Sequence, residues 1–379
     1  MKRIVKIIKK MLITIGIVMG VMTIVGLLFV TMSPQFGGKA TKEQQKEYAK
    51  SENYKDGKFS NLGGVKMDMS GKDMLKAIGG MFKSIPESRP ASDLMVQKVD
   101  SINIAAYAHE KTRFMWFGHS AFLMQTQGQN ILIDPMLSEV PAPHPWLGGK
   151  RFSDSLPIEI AQIPQIDAVL ISHDHYDHLD YESIIQLKDK VRRFFTPLGI
   201  GKHLIAWGVP KEKIVELDWG QKASFNELTF ISTPAQHFSG RGVSDRDTTL
   251  WCSWIIQSPT EKIFFSGDSG YASHFKTIGD TYGPFDIAFM ECGQYNTLWP
   301  SVHMFPEETA QAGVDVKAKK IMPIHWGAFK LAQHSWTDPV QRVLKKAEEL
   351  NIDVLIPEIG KLTYIDQEDS TSNQWWKAM

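Results

Sequence analysis

Three histidines and three aspartates fall between His173 and Asp180, in the run SerHisAspHisTyrAspHisLeuAsp (172–180), directly after the apolar stretch that ends at Ile171. In an extended turn His173 and His175 point the same way, and Asp177 and His178 come round a tight bend, so four donor atoms of one loop can converge on a pocket. Imidazole and carboxylate donors without thiolate suit zinc, with manganese or iron less favoured. A merely solvated polar loop is the bland alternative, and a cluster this dense at a strand's end argues against it. The chain holds two cysteines, Cys252 and Cys292, which excludes a cysteine-rich zinc module or a framework of several disulfides.

The pattern HxHxDH, read as His173, His175, Asp177 and His178, resembles the signature of the metallo-β-lactamase superfamily. Later residues extend the resemblance in the superfamily's order: His237 in ThrProAlaGlnHisPheSerGlyArg, Asp268 in PhePheSerGlyAspSerGlyTyr and His325 in ProIleHisTrpGlyAlaPhe. The finer motifs TrpPheGlyHisSer (116–120), AspPro (134–135), LeuTrpCysSerTrp (250–254) and HisMetPheProGluGlu (303–308) are similar to the N-acylphosphatidylethanolamine-hydrolysing phospholipase D family, over about residues 90 to 360. This resemblance implies an α/β fold, the αββα sandwich, with two zinc ions at one edge. It implies His173, His175 and His237 on one metal, Asp177, His178 and His325 on the other, and Asp268 between them. The implied reaction is hydrolysis of a phospholipid to N-acylethanolamine and phosphatidic acid.

Paired dications about 3.5–4 Å apart acidify a shared water, hold a phosphoryl oxygen and absorb the charge of an in-line displacement. Asp177 is then expected to orient the attacking water, and His303 to protonate the leaving alkoxide or touch the phosphate, although a satisfied structural histidine explains His303 equally well. His119, Asp134 and Asp180 are expected to orient the ligands, because metal-bound imidazoles usually donate their other N–H to such partners. Two alternatives share the scaffold: a di-metal lactonase or other ester hydrolase, and a non-catalytic surface binding protein, against which the complete donor set argues. A redox di-iron role is disfavoured, since the superfamily members with that role usually carry an acidic ligand where this sequence has His175, together with an appended flavin domain.

Short β-type runs must position these residues: 113–117, 121–126, 130–133, 167–172, 228–233, 249–257, 262–266, 286–290, 320–324 and 353–356. Helix-like segments at 180–190, 306–318 and 339–350 lie among the later runs, which favours a layered α/β domain over an all-β sandwich. The catalytic domain is expected over 101–366. Ahead of it, a basic flank (1–10) leads into the uncharged stretch 11–32, about 33 Å as a helix, which reads as a single-pass membrane anchor rather than a cleaved signal. The basic flank favours a cytoplasmic amino terminus and an extracytoplasmic catalytic domain. Gly16 and Gly20 form a GxxxG pair that leaves a homodimer open, with no dimer preferred.

Residues 33–100 read as a membrane-proximal arm. Within it Met74, Leu75, Ile78, Met81, Phe82 and Ile85 recur at helical spacing, a face expected to pack on the catalytic core in preference to lying on lipid. The polar tail 367–379 ends in two tryptophans to which the sequence assigns no role. Of Trp116, Trp146, Trp251, Trp254, Trp299 and Trp326, most are expected in the core and one or two at an entrance. The 42 basic and 42 acidic residues cancel, and past Met32 acids exceed bases by 42 to 37, so bulk charge offers nucleic acid no grip.

Overall fold

The computed structural model describes residues 2–65, 71–81, 83–107, 111–367 and 374–377. Before the sandwich come α1 (Lys2–Met32), α2 (Lys42–Tyr48), the ribbon of β1 (Tyr54–Lys55) and β2 (Lys58–Phe59), α3 (Gly71–Met81) and α4 (Ser101–Ala105). The first half of the sandwich holds β3 (Arg113–Trp116), β4 (Phe122–Thr126), β5 (Gln129–Ile133), β6 (Ile166–Leu170), α5 (Tyr181–Leu187), β7 (Val191–Pro197), α6 (Gly201–Ala206) and β8 (Ile214–Leu217). Its second half holds β9 (Lys222–Phe225), β10 (Leu228–Thr233), β11 (Ser253–Gln257), β12 (Lys262–Phe265), α7 (His274–Tyr282), β13 (Ile287–Glu291), α8 (Pro306–Asp315), β14 (Lys320–Ile324), α9 (Asp338–Leu350) and β15 (Asp353–Val354). The closing strand β16 (Leu362–Tyr364) returns to the first sheet.

Two seven-stranded sheets result, ordered β16-β3-β4-β5-β6-β7-β8 and β15-β14-β13-β12-β11-β10-β9. Alternation along the first sheet decides its two faces. Phe114, Trp116, Phe122, Met124, Ile131, Ile133, Ala168 and Leu170 join the core between the sheets, while Met115, Leu123, Leu132 and Val169 join a second core with Ile184 and Leu187 of α5 and Leu204 of α6. Aromatic rings close the inner layer: Phe114 and Phe122 lie 5.0 and 4.8 Å from Phe289 of the other sheet, and Phe195 lies 4.7 Å from Phe230. Helices α8 and α9 pack together, and α8 covers β13 and β14 on the far side. This is the αββα sandwich the resemblance implies.

Several expectations shift. The strand expected at 249–257 starts at Ser253, and its first half, Leu250 and Trp251, packs instead under the arm with Tyr48 and Phe59. Strands β7, β8, β9 and β16 and helices α6 and α7 carried no clear sequence pattern. Helix α3 forms where helical spacing places it, with Leu75 71% exposed, whereas the side chains of Met74, Ile78 and Met81, and Phe82, lie outside the described residues. The carboxy-terminal tryptophans are buried: Trp375 stacks on Trp326 at 5.7 Å and Trp376 meets it edge-on at 5.8 Å. Trp116, Trp251, Trp254 and Trp326 are core residues, Trp299 is half-buried and Trp146 is exposed. Helix α1 is long and apolar enough to cross a membrane, and its membrane-length window is wholly exposed.

Candidate metal centre

The carboxyl ends of β5, β6, β10, β12, β13 and β14 deliver, at or just beyond their last residues, Asp134, the 173–178 loop, His237, Asp268, Glu291 and His325. Strand ends of open α/β sheets are where backbone changes direction and side chains can turn into a crevice.

Two donor groups meet there. In the first, His173 Nε2 and His237 Nε2 lie 2.9 and 3.1 Å from His175 Nδ1, and Asp268 Oδ2 faces them at 3.7 and 3.8 Å. In the second, Asp268 Oδ1 lies 3.2 Å from His178 Nε2 and 3.1 Å from His325 Nδ1, with Asp177 Oδ2 3.5 Å from His178 Nε2 and 2.8 Å from His119 Nε2. One donor atom from each of His173, His175, His237 and Asp268 falls within 4.8 Å of the others, as does one from each of His119, Asp177, His178 and His325, and one from each of Asp268, His303 and His325.

Ring protons explain why the nitrogens converge. His173 Nδ1 donates to Ser172 Oγ at 2.9 Å, whose hydroxyl donates to Asp134 Oδ2 at 2.6 Å. His237 Nδ1 donates to the carbonyl of Val302 at 2.9 Å, and His178 Nδ1 to Asp134 Oδ2 at 2.7 Å. Each of these rings therefore turns a lone pair on Nε2 inwards. Lone pairs aimed at one point repel unless a cation lies between them. His178 Nε2 and Asp268 Oδ1 are buried without a hydrogen-bond partner among the described residues, an omission worth about 1–3 kcal/mol each. A metal ion satisfies such atoms, so the donor set fits the group the fold implies.

Charge tells the same story. Burial pushes His173, His237 and His325 well below the ordinary imidazole range, and brings His175 down to about 4, so these rings are neutral and able to ligate. Burial also disfavours the His178 cation, but Asp268, Asp177 and Asp134 outweigh it and raise the group well above its usual value. Asp268 is pushed up to about 6 by burial, against the pull of His178. With His173, His175, His237 and His325 neutral, the buried carboxylates leave the site short of positive charge.

The backbone is strained at the same place. His119, Asp134 and His325 hold left-handed φ values of 56°, 40° and 67°. Each costs of order 1–3 kcal/mol and persists because the surroundings over-determine it. His119 donates its N–H to Trp326 and its carbonyl accepts from His325, which locks the two left-handed residues to each other.

The seven expected ligands are thus brought together. Asp134 stands behind His178 and Ser172 as an orienting group. His119 touches Asp177 and also lies inside the second donor group, closer than expected. Asp180 is a correction: its carboxylate caps α5 at Ser183 and accepts from Ser138, because a helix start two residues past His178 claims it, and it reaches no donor of either group. His303 sits beside the site with Nδ1 2.6 Å from Glu291 Oε1.

Sequence reasoning missed Glu291 and Asn61. Glu291 is fully buried, accepts from the Ser269 N–H at 2.8 Å, and was signalled only as a lone acid ending the apolar run 286–290. Asn61, from the arm, brackets His237: its Oδ1 accepts from the His237 N–H at 3.0 Å and its Nδ2 donates to the His237 carbonyl at 2.8 Å. Nothing local distinguishes that asparagine from others.

Residues 129–326 match the beta-lactamase superfamily domain. The chain belongs to the metallo-β-lactamase superfamily. An uncharacterized protein of Mycobacterium tuberculosis is 40% identical over 336 residues, 86% of this chain and 88% of the relative. The N-acyl-phosphatidylethanolamine-hydrolyzing phospholipase D 1 of Caenorhabditis elegans is 30% identical over 252 residues, 62% of this chain and 70% of the relative. Among solved structures, the metallo hydrolase Igni18 of Ignicoccus hospitalis matches with a TM-score of 0.50 at 23% identity, over 67% of this chain and 98% of that one, a likeness of fold. Family, relatives and donor clusters together make this metallo-β-lactamase-fold protein a hydrolase with candidate metal-binding sites.

Proposed function

We propose that this protein is a membrane-anchored di-zinc phosphodiesterase that hydrolyses N-acylphosphatidylethanolamine-type phospholipids to N-acylethanolamine and phosphatidic acid. The observation that carries the reading is Asp268, whose Oδ2 faces His173 and His237 while its Oδ1 faces His178 and His325. His173, His175 and His237 would hold one ion and Asp177, His178 and His325 the other, with Asp268 shared. Bound dications supply Lewis acidity towards a phosphoryl oxygen and lower the pKa of a water.

The chain's own groups do the rest. Asp177, steadied by His119, orients the attacking water. His303 and Glu291 hold a proton between Nδ1 and Oε1, which leaves His303 Nε2 as the atom that exchanges a proton with the leaving alkoxide or holds a phosphoryl oxygen. The phospholipid substrate is supported by the Caenorhabditis elegans relative, and the anchor by α1, with its basic flank favouring an extracytoplasmic catalytic domain. The test is metal analysis of the purified full chain coupled to a product assay on N-acylphosphatidylethanolamine, with and without chelator. Two zinc ions per chain and chelator-sensitive release of N-acylethanolamine are expected. A chain without stoichiometric metal refutes the site, and a chain that opens lactones but spares the phospholipid refutes the substrate.

A further inference from the structure

We propose that the exposed turn Pro145–Leu147 docks into the lipid interface beside α1, an inference that rests on the membrane-anchor reading above. Trp146 is 70% exposed and Leu147 48%, an unusual pair to leave in water on a turn this short. The turn is latched to the end of α1. Phe29 lies 4.9 Å from the His144 ring and 5.7 Å from the Trp146 ring, His144 stacks on Trp146 at 5.8 Å and 19°, and His144 Nε2 is 3.3 Å from Ser33 Oγ.

These contacts fix the depth. The uncharged stretch 11–32 centres near residue 21 or 22, so Phe29 stands about 11 Å along the helix from the bilayer middle, inside the roughly 15 Å half-thickness of the hydrocarbon. A ring 5.7 Å from Phe29 cannot lie much beyond about 17 Å with α1 along the bilayer normal. That is the belt where tryptophan is enriched, with its apolar body in the acyl region and its N–H among headgroups. The occupant of this surface is therefore the bilayer α1 crosses. Behind the turn lies a cavity of about 270 Å³, walled by Gln35, Val140, Pro145, Tyr176 and Arg241, and docking sets it at the membrane surface next to the 173–178 loop.

The full chain, reconstituted in phosphatidylcholine vesicles, tests this with a bimane label on Trp146→Cys, Leu147→Cys, Ile17→Cys or Lys345→Cys. The native Cys252 and Cys292 are buried, and Trp146 and Leu147 are outside the core, so the variants fold as the parent does. Doxyl-labelled lipids report depth. Labels at 146 and 147 should be quenched several-fold more by headgroup-proximal doxyl groups than the exposed 345 label, and the 17 label should respond to deep ones. Quenching at 17 with labels at 146 and 147 behaving like 345 overturns the docking and spares the anchor. A label at 17 that no lipid quenches overturns the anchor reading and this inference with it. Cross-linking between the 146 positions of two chains in detergent, with no lipid quenching, overturns it in favour of a second copy.

Discussion

On the proposed two-ion reading, replacing Asp134 with Asn should weaken the ion held by His178 while leaving the backbone alone. Asp134 holds a left-handed φ of 40°, a region Asn tolerates well, so strain does not confound the change. Its carboxylate accepts from the Ser172 N–H at 2.7 Å, the Ser172 hydroxyl at 2.6 Å and His178 Nδ1 at 2.7 Å. An amide keeps one acceptor and turns the other into a donor. Ser172 Oγ can rotate to accept from that new donor, but His178 Nδ1 can accept only by moving its proton to Nε2, the atom 3.2 Å from Asp268 Oδ1. A protonated Nε2 has no lone pair to offer. Losing a buried charge-assisted hydrogen bond is worth about 1.5–3 kcal/mol. That corresponds to the roughly 10–100-fold loss of metal affinity seen when such supporting groups are changed. Competition against a chelator of known affinity, on the full chain in detergent, should show two ions of which one is weakened by that factor and one is nearly unaffected. If Asp134→Asn holds both ions as tightly as the parent, the assignment of Asp134 as the partner that sets the His178 tautomer is wrong.

Other outcomes follow from the same geometry. His175→Ala or Asp268→Ala should lower turnover by at least about 10²–10³-fold, the usual loss on removing one preorganised electrostatic group, with an unchanged far-ultraviolet circular dichroism spectrum; normal turnover by either would unseat the metal roles. Glu291→Gln keeps the shape of a fully buried side chain but not its charge, and should lower kcat by about 10²-fold with KM little changed, which steady-state kinetics can separate. Deleting residues 1–33 should release a soluble domain active on detergent-dispersed lipid. Deleting residues 1–38 also removes the Gln35 carbonyl that accepts from Arg241 at 3.0 and 2.8 Å, and denaturant titration should then register a further loss of about 1.5–3 kcal/mol.

Legibility in the sequence followed how local each signal is. The 173–178 loop could be read because its donors crowd into one turn, and β3, β4, β5, β6 and β14 because apolar residues dominate both their faces and turn residues bound them. β7 escaped notice because the exposed Arg192 and Arg193 interrupt it after Val191 and Pro197 ends it, although its last four residues are buried. Edge strand β9, LysAlaSerPhe, buries too little to leave a hydrophobic trace. At the site, the candidate ligands were legible through motif order, whereas Glu291 and Asn61 make contacts across 12 and 176 residues of chain, which no local pattern encodes. Asp180 shows the converse error. An acid next to a ligand motif looks functional, but it also sits where a helix begins, and capping took it.

The arm between anchor and sandwich bears on function because two of its ties end on the His237 loop and a third reaches Asp174 through His203 of α6. Arg241 is buried, and among the described residues its guanidinium hydrogen-bonds to no carboxylate. It spends its guanidinium on the carbonyls of Gln35, Asp174 and Leu179, and stacks 4.1 Å from the Tyr176 ring, so the first residues beyond α1 and both ends of the HxHxDH loop are held by one side chain. The Gly38 N–H donates to His203 Nδ1, and His203 Nε2 stands 3.4 Å from Asp174, the residue between His173 and His175. A Cβ at Gly37 would meet His203 Nδ1 at 1.8 Å, so the chain can pass there only as glycine. Asn61 then fixes His237 from the other side. Ties of this kind cost ordering entropy that a free tether would avoid. Their presence ties the end of α1 to the donor groups, so on the proposed reading whatever sets the depth of Phe29 also sets the height of the candidate metal site above it.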